Sequence, residues 1–288
     1  PKVGILSTGD ELIAPGGKME LGKVFDSNAI VITHAVEELG CEPIRFGIIP
    51  DKEAQLEKAI RKALKTDFII LSGGTSKGEG DLNYHVFEKF SNPGILVHGV
   101  SLKPGKPLCL AVLEGTPAAI LPGFPASATF TFTKFIDPIL RAMSGLSPEQ
   151  KTTVKASVPT RLNSDKGRTE FHLVHLVRKP EGFRAYSTGK GSGSITGFAR
   201  ADGFMEIPRN TEMIEAGQEV NIQLLGEATR PADLMLIGSH CVGLDYLMGE
   251  MQKHGVSCRF LAVGSMGGIL AAKRGECDIS GTHLLDED

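Results

Sequence analysis

The chain has 288 residues, enough for two or three domains that each bury a core of their own. Hydrophobic residues make up 41 % and charged residues 23 %, and 31 basic against 34 acidic side chains leave a net charge of −3. That balance excludes a disordered chain and a generic affinity for nucleic acid or anionic membrane, so a bound anion has to be held by local cations. No apolar run reaches the roughly 18 residues of a membrane span, and the first residues are not a signal peptide. The five cysteines (Cys41, Cys109, Cys241, Cys258, Cys277) contain no CxxC pair. They predict reduced thiols, a cytoplasmic location and no cysteine zinc site. The chain opens at Pro1 without a Met and stops at Asp288 just after a strand-like run, which reads as a piece of something longer.

In chain order, Lys2–Ser7 is a buried strand. Ser27 or Asn28 caps a helix that Gly40 stops, and Ile44–Ile49 is a strand. Asp51 caps an amphipathic helix running to about Lys65, and Asp67–Ser72 is a strand that leads into Gly73-Gly74. A helix follows Asp81, then strands near Ile95–Val100, Leu108–Leu113 and Ala118–Leu121, and a helix from Ala126 to about Met143. Strands alternating with helices of this length predict an α/β fold, a doubly wound, mostly parallel sheet over residues 1–147. Ligands of such folds bind beyond the carboxyl ends of the strands. Residues 148–228 change character to short alternating segments (Thr153–Val158, Phe171–Val177, Phe204–Ile207, Val220–Leu224) separated by turn clusters, which predicts a small all-β barrel or sandwich. Residues 229–288 return to α/β: strands at Leu234–Ile237, Cys258–Val263 and Asp278–Ser280, with helices at Gly243–His254 and Ile269–Arg274. They read as a truncated half-domain.

Four turns in the first domain carry groups suited to chemistry. Ser7-Thr8-Gly9-Asp10-Glu11-Leu12 brings hydroxyls and two carboxylates to a strand end, and Asp26-Ser27-Asn28 opens a helix whose N–H groups suit an anion. Each is also explained as a turn or a cap. Gly73-Gly74-Thr75-Ser76-Lys77-Gly78-Glu79-Gly80-Asp81 is a glycine-rich cradle of N–H donors without P-loop spacing, and Asp81 is either a cation ligand or a helix cap. Lys103-Pro104-Gly105-Lys106-Pro107 holds two ammonium groups three residues apart on a proline-stiffened turn, as a dianion requires. Leu121-Pro122-Gly123-Phe124-Pro125-Ala126-Ser127 is a further strand-to-helix bend, with Ser127 available to phosphate oxygens. Together they suit a phosphorylated substrate, a metal ion and a second anion. His34, His85, His98, His172 and His175 match no metal-site spacing and are read as structural.

STGDEL, DSN, GGxSxGxxD, KPGKP and LPGxPxS, in this order and followed by a β-domain, resemble the molybdopterin molybdenumtransferase family (MoeA and the gephyrin E domain) over Pro1 to about Gly226. Arg230–Asp288 is similar to the start of a periplasmic-binding-protein-like (LysR substrate-binding-like) domain. The resemblance implies a MogA-like first domain, a β-domain like the family's C-terminal domain, and insertion of molybdate into adenylylated molybdopterin with release of AMP. It implies Asp81, Glu11 and Asp10 as catalytic residues, with Mg2+ held by Asp81 and Glu11. Lys103, Lys106 and Ser76 would grip molybdate. Ser127, Asp26, Ser27, Gly73, Gly74 and Thr8 would complete the substrate site, and Arg168, Ser192 and Ser194 would reach it from the β-domain. Homodimerisation is implied for the full-length protein, whose upstream domains lie outside this sequence. Lys77 departs from the small or apolar residue usual in the metal loop. A related adenylyltransferase is disfavoured by the β-domain with its Arg168-Thr169-Glu170-Phe171 segment. An oxyanion-binding or scaffold protein is the non-enzymatic alternative. Molybdate and tungstate share shape and charge.

Overall fold

The computed structural model describes residues 1–73, 82–149, 151–189, 195–226 and 229–284. The chain divides into two units, 1–150 with 191–195, and 151–190 with 196–288.

The first unit runs β1 (Lys2–Thr8), β2 (Leu12–Ile13), β3 (Val24–Phe25), α1 (Ser27–Glu38), β4 (Glu42–Ile49), α2 (Glu53–Ala63), β5 (Phe68–Ser72), α3 (Leu82–Glu88), β6 (Gly94–His98), β7 (Leu102–Lys103), β8 (Cys109–Leu113), β9 (Thr116–Leu121), α4 (Pro125–Thr131) and α5 (Asp137–Met143). Six strands form one sheet in the order β4-β1-β5-β9-β8-β6. The first four are parallel, whereas β8 runs antiparallel to both β9 and β6. This departs from a sheet wound by helices throughout. Glu114-Gly115, both at positive φ, make a two-residue hairpin turn that reverses the chain without a helix.

Side-chain alternation sends each central strand into two cores. Val3, Ile5, Phe68, Ile70 and Leu121 pack with Ile32 and Val36 of α1 and with Ile136 and Leu140 near α5. Leu6, Ile69, Leu71 and Ile120 pack on the other face with Leu56 and Ile60 of α2 and Val86 and Phe87 of α3. Two helix starts differ from expectation. The cap of α1 is Asp26, whose carboxylate accepts the Ala29 N–H, not Ser27 or Asn28. α2 starts after Lys52 with no side-chain cap, because Asp51 turns its carboxylate to the Asp10 N–H instead. The helix expected from Ala126 to Met143 contains a π-helical turn, Phe132–Ile136, between α4 and α5.

In the second unit, β10 (Thr153–Ser157), β12 (Thr169–Lys179), β13 (Gly182–Ser187), β14 (Gly203–Ile207) and β16 (Glu219–Leu224) pair in the order β13-β10-β16-β14-β12. A β12–β13 pairing closes this into a barrel, and β11 (Leu162–Asn163) pairs separately with β15 (Met213–Ile214). α6 (Ile195–Arg200) precedes β14. Next come β17 (Leu234–Gly238), α7 (Val242–Lys253), β18 (Cys258–Ala262) and α8 (Gly264–Lys273). β17 and β18 are parallel, and the strand expected at 278–280 is reduced to a single bridge between Leu236 and Ile279. No helix among the described residues is long and apolar enough to cross a membrane.

Candidate functional site

The carboxyl edge of the first sheet gathers the predicted turns, and the register shows how. Leu6 lies beside Leu71, Leu71 beside Ile120, Ile120 beside Cys109 and Cys109 beside His98. The turns after β1, β5 and β9 and the whole connection from β6 to β8, which carries Lys103 and Lys106, therefore leave from one edge. Their backbones touch. A Cβ on Gly73 (φ +116°) would lie 2.1 Å from the Thr8 carbonyl oxygen, and one on Gly123 would lie 3.6 Å from the Gly73 Cα.

The lysine turn is folded on itself by Val100 N–H donating to the Lys106 carbonyl (2.9 Å) and Leu108 N–H to the Gly105 carbonyl (3.2 Å). Gly105 is pressed against α4, where a Cβ would come within 2.6 Å of the Thr131 methyl. Lys106 is exposed and Lys103 half-buried. α4 starts at the same edge with Pro125 in its first turn. Ser127 is buried there, and the preceding Phe124 is exposed.

The acids divide by role. Asp26 is buried and occupied as the α1 cap, with Ser27 half-buried next to it. Asp10 and Asp51 exchange hydrogen bonds, each carboxylate accepting the other's backbone N–H at 3.2 Å. Glu11 is exposed and folds over Gly9, whose Cβ, if present, would meet the carboxylate at 2.6 Å. Thr8 is fully buried, and its hydroxyl faces Asn83 rather than solvent. Gly74, Ser76, Lys77, Asp81, Ser192 and Ser194 lie outside the described residues. Among the described residues no group of three or more His, Cys, Asp or Glu side chains could hold a metal ion.

In the second unit Arg168 is half-buried just before β12. Two residues on, the buried Glu170 accepts from the Ser164 hydroxyl (2.8 Å) and the Asp165 N–H (3.2 Å), with His172 Nε2 at 3.1 Å. Sequence reasoning missed Asn83, Ser72 and the use made of Asn28. Asn28 donates to the Ser72 hydroxyl (2.9 Å) and the Gly123 carbonyl (2.8 Å), and Asn83 to the Gly73 carbonyl (2.6 Å) and the Thr8 hydroxyl (2.9 Å). The only sequence cue was an amide placed in the first turn of a helix that follows a strand-end turn.

Comparison with known proteins finds matches in both units. Residues 4–142 match the family model described as a probable molybdopterin binding domain, and residues 155–225 match the MoeA C-terminal region, domain IV. Residues 4–225 belong to the MoeA family. Within that family, the chain is 32 % identical over 226 residues to a molybdopterin molybdenumtransferase of Haemophilus influenzae, covering 77 % of this chain and 55 % of the relative. It is 34 % identical over 230 residues to one of Nostoc, covering 76 % and 52 %. The crystal structure of a molybdopterin biosynthesis MoeA protein from Pyrococcus horikoshii superposes with a TM-score of 0.67 at 35 % identity, covering 78 % of this chain and 55 % of that one. The chain thus spans about half the length of the MoeA relatives it matches. Beyond the MoeA part, residues 248–288 match a PBP superfamily domain.

Proposed function

We propose that this chain acts in molybdenum cofactor biosynthesis as a molybdenumtransferase, inserting molybdate into adenylylated molybdopterin with cleavage of the bond to AMP. The observation that carries the reading is the placement of the Lys103–Lys106 turn on the same sheet edge as the turns after β1, β5 and β9. Two ammonium groups on a turn already held by its own backbone bonds lower the cost of bringing a dianion beside a phosphorylated substrate. Relatives that bear the molybdenumtransferase name at 32 % and 34 % identity support it.

In this reading Lys103 and Lys106 neutralise molybdate, and the backbone N–H groups at the start of α4, with Ser127, face phosphate oxygens. Glu11 and Asp81 are the proposed ligands of Mg2+, and Asp10 acts through the turn it braces. The described residues supply no complete metal cluster, and Asp81 lies outside them. Ser76, Arg168, Ser192 and Ser194 complete the proposed anion contacts. The reading extends to a cytoplasmic protein that is a homodimer at full length, and to a periplasmic-binding-protein-like half-domain over 229–288.

The test is AMP release from adenylylated molybdopterin with and without molybdate. Molybdate-dependent release that falls in Lys106→Ala and Asp81→Ala is expected. A folded wild-type chain that binds the pterin but never releases AMP, alone or within a longer parent, ends the transferase reading in favour of a binding protein.

A further inference from the structure

Two buried carboxamides meet the Ser72-Gly73 peptide from opposite faces of the sheet. Ser72 shares the parity of Ile70 and points to the α1 side, where Asn28 donates to its hydroxyl. Thr8 shares the parity of Leu6 and points to the α3 side, where Asn83 engages its hydroxyl and donates to the Gly73 carbonyl. Asn28 also reaches the Gly123 carbonyl, so the ends of three neighbouring strands are tied in series: β1 through Asn83 to β5, and β5 through Asn28 to β9. The amide orientation follows from chemistry. A carbonyl oxygen only accepts, so each amide must present Nδ2, and both of its hydrogens are then used on two acceptors. Asn83 is 1 % exposed and Asn28 8 %, so water does not compete for these bonds.

We propose that Asn28 and Asn83 are positioning residues of the anion-binding edge, a two-sided clamp on Ser72-Gly73. It fixes the three turns against one another and holds the Gly73 and Gly123 carbonyl oxygens away from a bound oxyanion. The inference deepens the reading above and rests on it for the nature of the ligand. Its physical basis is electrostatic: a carbonyl oxygen turned toward phosphate or molybdate oxygens repels them, whereas one bonded to a buried amide leaves that edge to N–H and ammonium donors. Aspartate has the shape of asparagine but no hydrogen to give a carbonyl, so it reverses the clamp while filling the same space.

The experiment uses the full 288-residue chain and two readouts. In amide hydrogen exchange, Asn83→Ala is expected to speed exchange at least tenfold in peptides spanning Thr8–Asp10, and Asn28→Ala in those spanning Gly123–Phe124, with β4 unchanged. In titration with adenylylated molybdopterin, Asn83→Asp is expected to bind at least tenfold more weakly than Asn83→Ala at equal folded fraction, a difference that loss of packing alone does not produce. Thr8→Ser, which keeps the hydroxyl that Asn83 engages, is expected to retain the slow exchange at Thr8–Asp10 that Thr8→Val loses. Faster exchange confined to the substituted helix, or equal binding by the Asp and Ala variants, overturns the clamp. Should Asn83 variants not fold, Asn28→Ala and the Thr8 pair decide it. A wild-type chain that does not bind the pterin refutes the functional reading, and the exchange data still judge the clamp.

Discussion

Gly73 shows how strictly one position can be dictated at this edge. Its φ of +116° disfavours any side chain, and a Cβ would lie 2.1 Å from backbone oxygen that β1 holds in place. Gly73→Ala is therefore expected to destabilise the first unit by about 3 kcal/mol or more. Gly123→Ala, whose Cβ would make only ordinary contact at 3.6 Å, is expected to be tolerated. Urea denaturation of the two variants side by side checks the contrast, and equal stability would refute it. Lys106 makes the opposite case. It is exposed, so Lys106→Ala is expected to shift stability by no more than about 0.5 kcal/mol. If the functional reading holds, the same substitution raises the apparent KM for molybdate by roughly tenfold, the scale of one lost charge-assisted hydrogen bond. The Lys103–Lys106 pair was singled out in the sequence as a candidate because two cations share a proline-stiffened turn. Asn83 was not, since a polar residue in a helix's first turn looks like surface until the tertiary fold buries it.

At the scale of elements, the order of strands and helices could be read from apolar runs and their periods, while pairing direction and caps could not. Glu114-Gly115 fits a hairpin turn only once both residues are seen at positive φ, and nothing local distinguishes Asp51 as a cap from Asp51 as a partner of Asp10. Asp26→Ala removes the cap of α1 and is expected to cost about 1 kcal/mol. A second test concerns Asp202, just before β14. Burial pushes its carboxyl up, but His175 nearby, Arg259 of β18 and the Leu176 N–H outweigh burial and hold it below the ordinary carboxylate value. A carboxyl depressed in the folded state adds stability above its unfolded pKa and loses it as pH falls through the folded value. The second unit is therefore expected to lose stability on acidification below about pH 4. Arg259→Ala, which lets the folded pKa rise, should reduce the extent of that loss. Acid titration followed by circular dichroism checks it, and identical acid profiles for both proteins would contradict it.

At the scale of the whole second unit, the α/β segment β17–α8 is built onto the barrel rather than strung after it. Val177 and Tyr186 of the barrel share a core with Ala232, Met235, Ile237 and Ala271 of that segment. The Tyr186 hydroxyl donates to the Glu276 carbonyl at 2.6 Å, Lys179 pairs with Asp278 and Arg259 with Asp202, and the Arg178 N–H donates to the Ala232 carbonyl at 2.8 Å. A loosely linked module would leave the barrel surface polar at this place, yet Val177 is 0 % and Tyr186 3 % exposed. Uncovering two such side chains costs about 1.5–3 kcal/mol each. A chain ending at Gly226 is therefore expected to unfold its barrel at least about 3 kcal/mol more easily and to bind a hydrophobic dye that the intact chain does not. Calorimetry of the two proteins separates the transitions. An unchanged barrel transition would mean that the α/β segment is carried by the barrel without supporting it.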